Sequence, residues 1–190
     1  GLPSLFASSS PAETEIELIK SRQIIGDAVE KLRLQYTATP TNKLDRLLHR
    51  EGRMEITQLE IPWGKLPKDE KRGPWTAVAE DDSLHFTLFD HKNQKVLEGE
   101  VGHTYHFPYA GDTAIFSVYK MTAQKGQTFN VSKMDRFDAI DAFRGAFDVK
   151  ERGKKTGVLE FTYQEIYPDR ATKILNEVAS SYLRQNVEHL

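Results

Sequence analysis

Apolar residues near the start of the chain recur at three- and four-residue steps. Ile16 and Ile19, then Ile24, Ile25, Ala28, Val29 and Leu32, fall on one side of a helix. Ser10-Pro11-Ala12-Glu13 precedes that stripe. Serine can cap, proline suits the first helical position and glutamate can reach back to the cap amide, so a helix is expected from Pro11. Gly26 and the polar stretch Lys20 to Gln23 predict a bend between two helical pieces. Thr41 and Asn42 offer caps for a short helix through Leu44, Leu47 and Leu48, stopped by Gly52, so the first fifty residues read as helical.

From Met54 the period drops to two. Met54, Ile56, Leu59 and Ile61 start a strand pattern, interrupted by the charged loop Pro62 to Pro74. Short strands then follow at Trp75 to Ala79, Leu84 to Leu88, Val96 to Val101, Thr104 to Phe107, Ala114 to Tyr119 and Thr128 to Val131. Turn residues at Asp81-Asp82, His91 to Asn93 and Gly111-Asp112 separate them, and this spacing predicts an antiparallel sandwich or barrel-like lobe. Ser132 and Asp135 open a helix carrying Phe137, Ile140, Phe143 and Phe147. Phe147 and Val149 alternate with polar residues, Arg152 to Gly157 reads as a basic hairpin turn, and Leu159, Phe161 and Tyr163 alternate again. Pro168 starts a last helix with Ile174, Leu175, Val178, Ala179, Tyr182, Leu183 and Val187 along one side.

The fold class expected is α+β: a helical and mixed-sheet base with an inserted, mostly antiparallel β lobe. The N-terminal helical part of the base takes residues 1–53 and the lobe 54–131. Residues 132–190 complete the base with a helix, a β-hairpin and the start of a long helix. Leu159, Phe161 and Tyr163 should pack on Ile140, Phe143 and the Ile174-Leu175-Val178 stripe in one core, with Phe161 as its buried ring.

Composition narrows the function classes. The 190 residues suit one domain, or one domain carrying a lobe. The charge is near balance, 26 basic against 28 acidic side chains and net −2, so no global field exists to hold nucleic acid or an anionic membrane. With no cysteine, disulfides, thiolate chemistry and cysteine-based zinc sites are excluded. No apolar run approaches the roughly 20 residues that cross a bilayer. Gly1 in place of an initiator Met, and a final helical pattern reaching Leu190 without a stop signal, point to a segment excised from a longer chain.

Candidate chemistry is sparse. His103 and His106 are three apart in a strand pattern and so point to opposite faces, which cannot jointly hold one ion without a bulge. Gly153-Lys154-Lys155-Thr156 looks like part of a phosphate loop but lacks the earlier glycine. No nucleophile elbow, helical His-Glu-x-x-His or calcium loop is found. No catalytic residue, cofactor-binding residue or metal ligand is therefore assigned. Basic residues at Lys65 to Arg72 and Lys150 to Lys155 are diluted by Asp69, Glu70 and Glu151. Trp63, Trp75, Tyr105, Phe107 and Tyr109 can form either a lobe core or a platform for sugars.

Several phrases nonetheless carry a resemblance. They are Ser8 to Ile16 followed by Leu18-Ile19-Lys20-Ser21-Arg22; Leu59-Glu60-Ile61-Pro62; Gly153-Lys154-Lys155-Thr156-Gly157-Val158-Leu159-Glu160; and Ala171 to Asn186, with Lys173-Ile174-Leu175-Asn176 and Tyr182-Leu183. Together with the order of elements, the chain resembles the periplasmic part of the polysaccharide copolymerases, the Wzz-type chain-length determinants, and most of all the Wzc-type bacterial tyrosine-protein kinases. Tyr167 before Pro168 departs from the pattern, since a better capping residue such as Asp is common there.

The resemblance implies a parent in the bacterial inner membrane, with this segment periplasmic. It implies self-association into a ring that works with polysaccharide polymerase and export machinery on the length and export of capsular or exopolysaccharide. A kinase domain using ATP and magnesium would lie outside this sequence, so no catalytic residue is carried over. The alternative reading is a carbohydrate-binding module that uses the lobe aromatics directly.

Overall fold

Each strand that the period-two pattern predicts between Trp75 and Val131 is present in the computed structural model, which describes residues 11–42, 52–66 and 73–188. The chain folds as α+β in two compact units, residues 35–134 and residues 1–34 with 135–190.

The described residues of the first unit form two β-sheets and one 3-10 turn. A five-stranded antiparallel sheet has the order β1-β8-β3-β4-β5, built from β1 Tyr36–Pro40, β8 Thr128–Lys133, β3 Trp75–Ala79, β4 His85–Phe89 and β5 Lys95–Glu100. A three-stranded sheet has the order β2-β7-β6, from β2 Arg53–Glu60, β7 Asp112–Thr122 and β6 Thr104–Tyr109. The inner faces share one core. Phe86 of the first sheet meets Phe116 of the second edge-on at 5.5 Å, and Trp75 meets Tyr109 at 4.8 Å.

Two bulges explain an irregularity in the apolar pattern. Strict alternation would put Leu59 on the opposite face from Met54 and Ile56, yet all three are buried. In the β2–β7 ladder Ile56 faces Val118 and Gln58 faces Ser117, so Thr57 is an extra residue that resets the phase. Tyr119 is extra on β7, which lets Met121 point inward after Val118 while Tyr119 stays exposed.

The reading of the first fifty residues as helical is corrected at β1. Tyr36 to Pro40 is an edge strand paired with β8, Tyr36 opposite Lys133 and Pro40 opposite Phe129. Aromatic and β-branched residues favour the pleat, and proline is tolerated because this strand has one neighbour only. Ser132 is likewise in β8, its hydroxyl 2.8 Å from Thr37, and takes no part in opening a helix. The short helix expected through Leu44, Leu47 and Leu48 lies outside the described residues. Gly52, read as its stop, is buried against Phe129 and Ala123.

In the other unit, α1 Pro11–Ile19 and α2 Arg22–Lys31 are followed after the lobe by α3 Arg136–Ala146, β9 Phe147–Glu151, β10 Leu159–Tyr163 and α4 Pro168–Glu188. Ile19, Ile24, Ile25, Val29, Ile140, Phe143, Ile174 and Val178 form its centre, each at most 2% exposed. The break between α1 and α2 falls at Lys20-Ser21, where the Ser21 hydroxyl accepts the Ile24 N–H at 3.4 Å. Gly26 does not bend the chain. It sits buried inside α2, where a side chain would meet Arg136 and Ile140 of α3. Asp135 caps α3 by accepting the Phe137 N–H at 2.8 Å, while Phe137, assigned to the apolar stripe, is 58% exposed.

The β9–β10 hairpin pairs Phe161 with Val149 and Tyr163 with Phe147. The Tyr163 ring lies 4.9 Å from Phe143, as expected, whereas Phe161 is half-buried with its ring 6.0 Å from Phe147. Burial pushes the Tyr163 phenol above its ordinary range. On α4 the inward residues are Ile174, Val178 and Ser181, whereas Leu183 is 61% exposed. Among the described residues no helix is long and apolar enough to cross a membrane.

Candidate functional site

The histidines among the described residues do not converge on one site. His103, just before β6, and His106, on its outward face, are both exposed. No group of three or more potential metal ligands exists among the described residues. His85 is bound into the β3–β4 turn instead. The Asp81 carboxylate accepts the backbone N–H groups of Ser83, Leu84 and His85 at 3.2, 2.7 and 2.9 Å, and also meets His85 Nδ1. The His85 and Leu84 amides, with the imidazole, hold Asp81 well below the usual carboxylate range. Its bond to Asp81, helped by Glu100 3.5 Å away, raises His85.

Asp90, at 4% exposure, is the most buried carboxylate among the described residues. It accepts the N–H groups of Lys92 and Gln94, both at 2.9 Å, and the Tyr109 hydroxyl at 3.1 Å. Those bonds shape the β4–β5 turn around Asn93, whose φ is 61°, so its burial is explained by structure.

Gly153-Lys154-Lys155-Thr156 forms the β9–β10 hairpin loop. Thr156 Oγ1 donates to the Arg152 carbonyl at 2.6 Å and the Gly157 N–H donates to Glu151 at 2.8 Å. Gly153, Lys155 and Gly157 all have positive φ, between 55° and 86°. This is a tight turn with its own carboxylate satisfied, not a phosphate cradle opening a helix.

The lobe aromatics separate into two groups. Trp75 and Phe107 are core, at 1% and 8% exposure, and the half-buried Tyr105 and Tyr109 pack against that core. Tyr105 accepts the Glu100 N–H through its hydroxyl at 2.8 Å. Trp63 differs. It sits on a 3-10 turn, Trp63–Lys65, is half-buried, and stands at the rim of a cavity of about 340 Å³.

That cavity opens at one end of the sandwich, where Trp75 pairs with Val131 across the five-stranded sheet and Leu59 approaches from the other. Its lining also includes Ile61, Trp63, Gly73 and Pro74, with Ser132 and Lys133 as polar members. Lys133 Nζ is bonded to both oxygens of Glu60 at 2.8 and 2.7 Å and lies 5.7 Å from the centre of the Tyr36 ring. Tyr36 donates its hydroxyl to Glu60 at 2.7 Å. Nothing in the sequence joined these residues, because they come from three stretches widely separated along the chain. The pattern that could have singled out Trp63 is its place in a loop beside Pro62 and Gly64, away from any alternating strand.

This arrangement can bind, but it brings no nucleophile together with a base. Residues 20–134 match the family model described as the tyrosine-protein kinase Wzc, N-terminal domain. The tyrosine-protein kinase etk of Escherichia coli O127:H6 is 29% identical over 193 residues, covering 98% of this chain and 25% of that protein. The etk of Escherichia coli K12 is 28% identical over the same shares, and the tyrosine-protein kinase ptk of Acinetobacter johnsonii is 24% identical over 98% of this chain and 27% of its own length. The chain thus spans about a quarter of the length of the curated relatives it matches. With α2 and the β lobe inside the matched residues, the chain belongs to the family of Wzc-type tyrosine-protein kinase N-terminal domains.

Proposed function

We propose that this chain is the periplasmic segment of a bacterial inner-membrane polysaccharide copolymerase, a tyrosine autokinase that controls the length and export of capsular or exopolysaccharide. The observation that carries the reading is the match of residues 20–134 to the Wzc N-terminal domain, extended by relatives that align over nearly the whole chain. The segment contributes no catalytic group. ATP and magnesium serve a kinase domain outside it, and its own role is to self-associate in a ring and to meet the polymerase and export machinery.

The test uses cells carrying the full gene. Deleting residues 35–134 in frame is expected to change the length distribution of the surface polymer on a gel. Alkaline phosphatase, which needs its disulfides, is expected to be active when fused after residue 188. An unchanged polymer ladder, or a fusion active only with a cytoplasmic reporter, would overturn the reading.

A further inference from the structure

We infer that the loop joining β9 to β10 binds a phosphate group on its main-chain N–H groups. The Arg152 N–H donates to the Val158 carbonyl at 2.7 Å and closes the loop, while the Gly157 N–H donates to the Glu151 carboxylate at 2.8 Å. Between them, the N–H groups of Gly153, Lys154, Lys155 and Thr156 have no acceptor among the described residues. The backbone alternates in hand along this stretch: φ is 86° at Gly153, 55° at Lys155 and 70° at Gly157, and it is not positive at Lys154 or Thr156. Alternating right- and left-handed residues turn successive N–H groups toward one side, which makes a concavity that holds anions. Lys155 keeps a left-handed φ that residues other than glycine seldom adopt, so the loop retains this shape without the residue that takes it most easily. No helix follows the loop, so the turn itself supplies the donors.

Charge selects the anion. Lys150, Arg152, Lys154 and Lys155 are exposed and form no ion pair among the described residues. Two carboxylates lie beside them: Glu151, which already takes the Gly157 N–H, and Glu160, opposite Lys150 in the ladder. Asp148 is bonded to Lys20. A surplus of positive charge remains. A carboxylate brings two oxygens and one charge, and the loop holds its own on Gly157 alone. The remaining donors and the surplus cations match a phosphate group, which presents more acceptor oxygens and up to about two charges.

The experiment is titration of the isotope-labelled chain with inorganic phosphate at constant ionic strength, followed by the amide resonances in NMR. Saturable shifts in the millimolar range, confined to the loop, are expected, with acetate weaker by about fivefold or more. Lys154→Gln combined with Lys155→Gly removes two cations while leaving the left-handed φ accessible, and is expected to weaken phosphate by about fivefold or more. Gly153→Ala leaves every cation in place but puts a Cβ 3.0 Å from the Thr156 methyl carbon at a φ of 86°. The loop must then reshape, and phosphate binding is expected to fall by about fivefold or more. Glu151→Gln keeps an acceptor for the Gly157 N–H, removes a negative charge and is expected to tighten binding about twofold, which keeps the test decisive if Gly153→Ala unfolds the hairpin. Sedimentation with vesicles separates the sources of the group. Retention by phosphatidylglycerol vesicles and not by phosphatidylcholine vesicles, lost in Gly153→Ala, assigns a lipid headgroup; phosphate binding without retention assigns a soluble phosphoryl compound. The site is overturned by no saturable shift with phosphate, by acetate binding as tightly, by undiminished binding to a folded Gly153→Ala, or by weaker binding to Glu151→Gln.

Discussion

Two glycines show how single positions divide between packing and freedom. A Cβ on Gly99 of β5 would lie 2.7 Å from the Phe86 ring and 2.8 Å from the Tyr105 ring, both fixed in the sandwich. Overpacking a dense core costs about 1–3 kcal/mol, so Gly99→Ala is expected to lower stability by that amount in urea unfolding. Gly26 has similar apparent crowding, 2.9 Å to Arg136 Nη2, but that atom ends a flexible, partly exposed side chain. Replacing glycine inside a helix gains up to about 1 kcal/mol, while the Arg136–Glu30 surface pair it would disturb is worth 0–1 kcal/mol. Gly26→Ala is therefore expected to be neutral or mildly stabilising, and a loss comparable to that of Gly99→Ala would show that α2 and α3 cannot adjust. Asp81 and His85 supply a pH dependence of opposite signs. His85 is raised in the folded chain, so its stabilisation is complete below its unfolded pKa and is lost as pH rises through the folded one. Asp81 is lowered, so its contribution is present above its unfolded pKa and fades as pH falls toward the folded one. Melts across pH should lose the Asp81 dependence in Asp81→Asn and the larger part of that of His85, leaving the part held by Glu100.

At the level of elements, the strands from Trp75 onward were legible because each has one apolar face bounded by turn residues such as Asp81-Asp82 and Gly111; the latter turn is Ala110-Gly111, both at positive φ, with Asp112, read as turn, already in β7. β1 was not legible. Tyr36-Thr37-Ala38-Thr39-Pro40 is short, ends in proline, and shows its strand character only once β8 is beside it. Helix α3 misled in another way: Phe137 fits the apolar spacing, yet a residue in the first turn after the Asp135 cap can point to solvent, and it does. The cavity was invisible for a third reason, since Trp75 and Lys133 are brought together by the pairing of the non-consecutive strands β3 and β8, and Leu59 reaches them from the other sheet. The β9–β10 hairpin lets the energetic consequence of partial burial be measured. Complete removal of a buried Phe ring costs about 3–5 kcal/mol, but Phe161 is half-buried, so Phe161→Ala is expected to cost about 2 kcal/mol in denaturant melts. A value near zero would detach the hairpin from the Phe143–Phe147 cluster.

At the scale of the whole chain, α2 and α3 flank the lobe in sequence and pack together in their own unit, and α4 joins them through Glu177. Burial opposes its ionisation, but Arg184 at 2.9 Å and Lys31 at 3.1 Å keep its pKa lowered. The proposed ring places the main subunit contacts in the full-length protein, so this chain alone is expected to scatter light as a monomer near 21.7 kDa at micromolar concentration; a stable closed ring would put the principal contact within these residues. The lobe begins at Tyr36 and ends at Lys133, and these two residues are opposite each other in the β1–β8 ladder, which leaves its two ends only about 5 Å apart. In the helical unit, Glu30 and Arg136, at the points where the chain leaves and returns, are hydrogen-bonded. A segment whose two ends lie side by side is an exchangeable cassette: when it is swapped for a short Gly-Ser bridge from Leu34 to Asp135, the helices are expected to keep their circular-dichroism signal and their melting cooperativity.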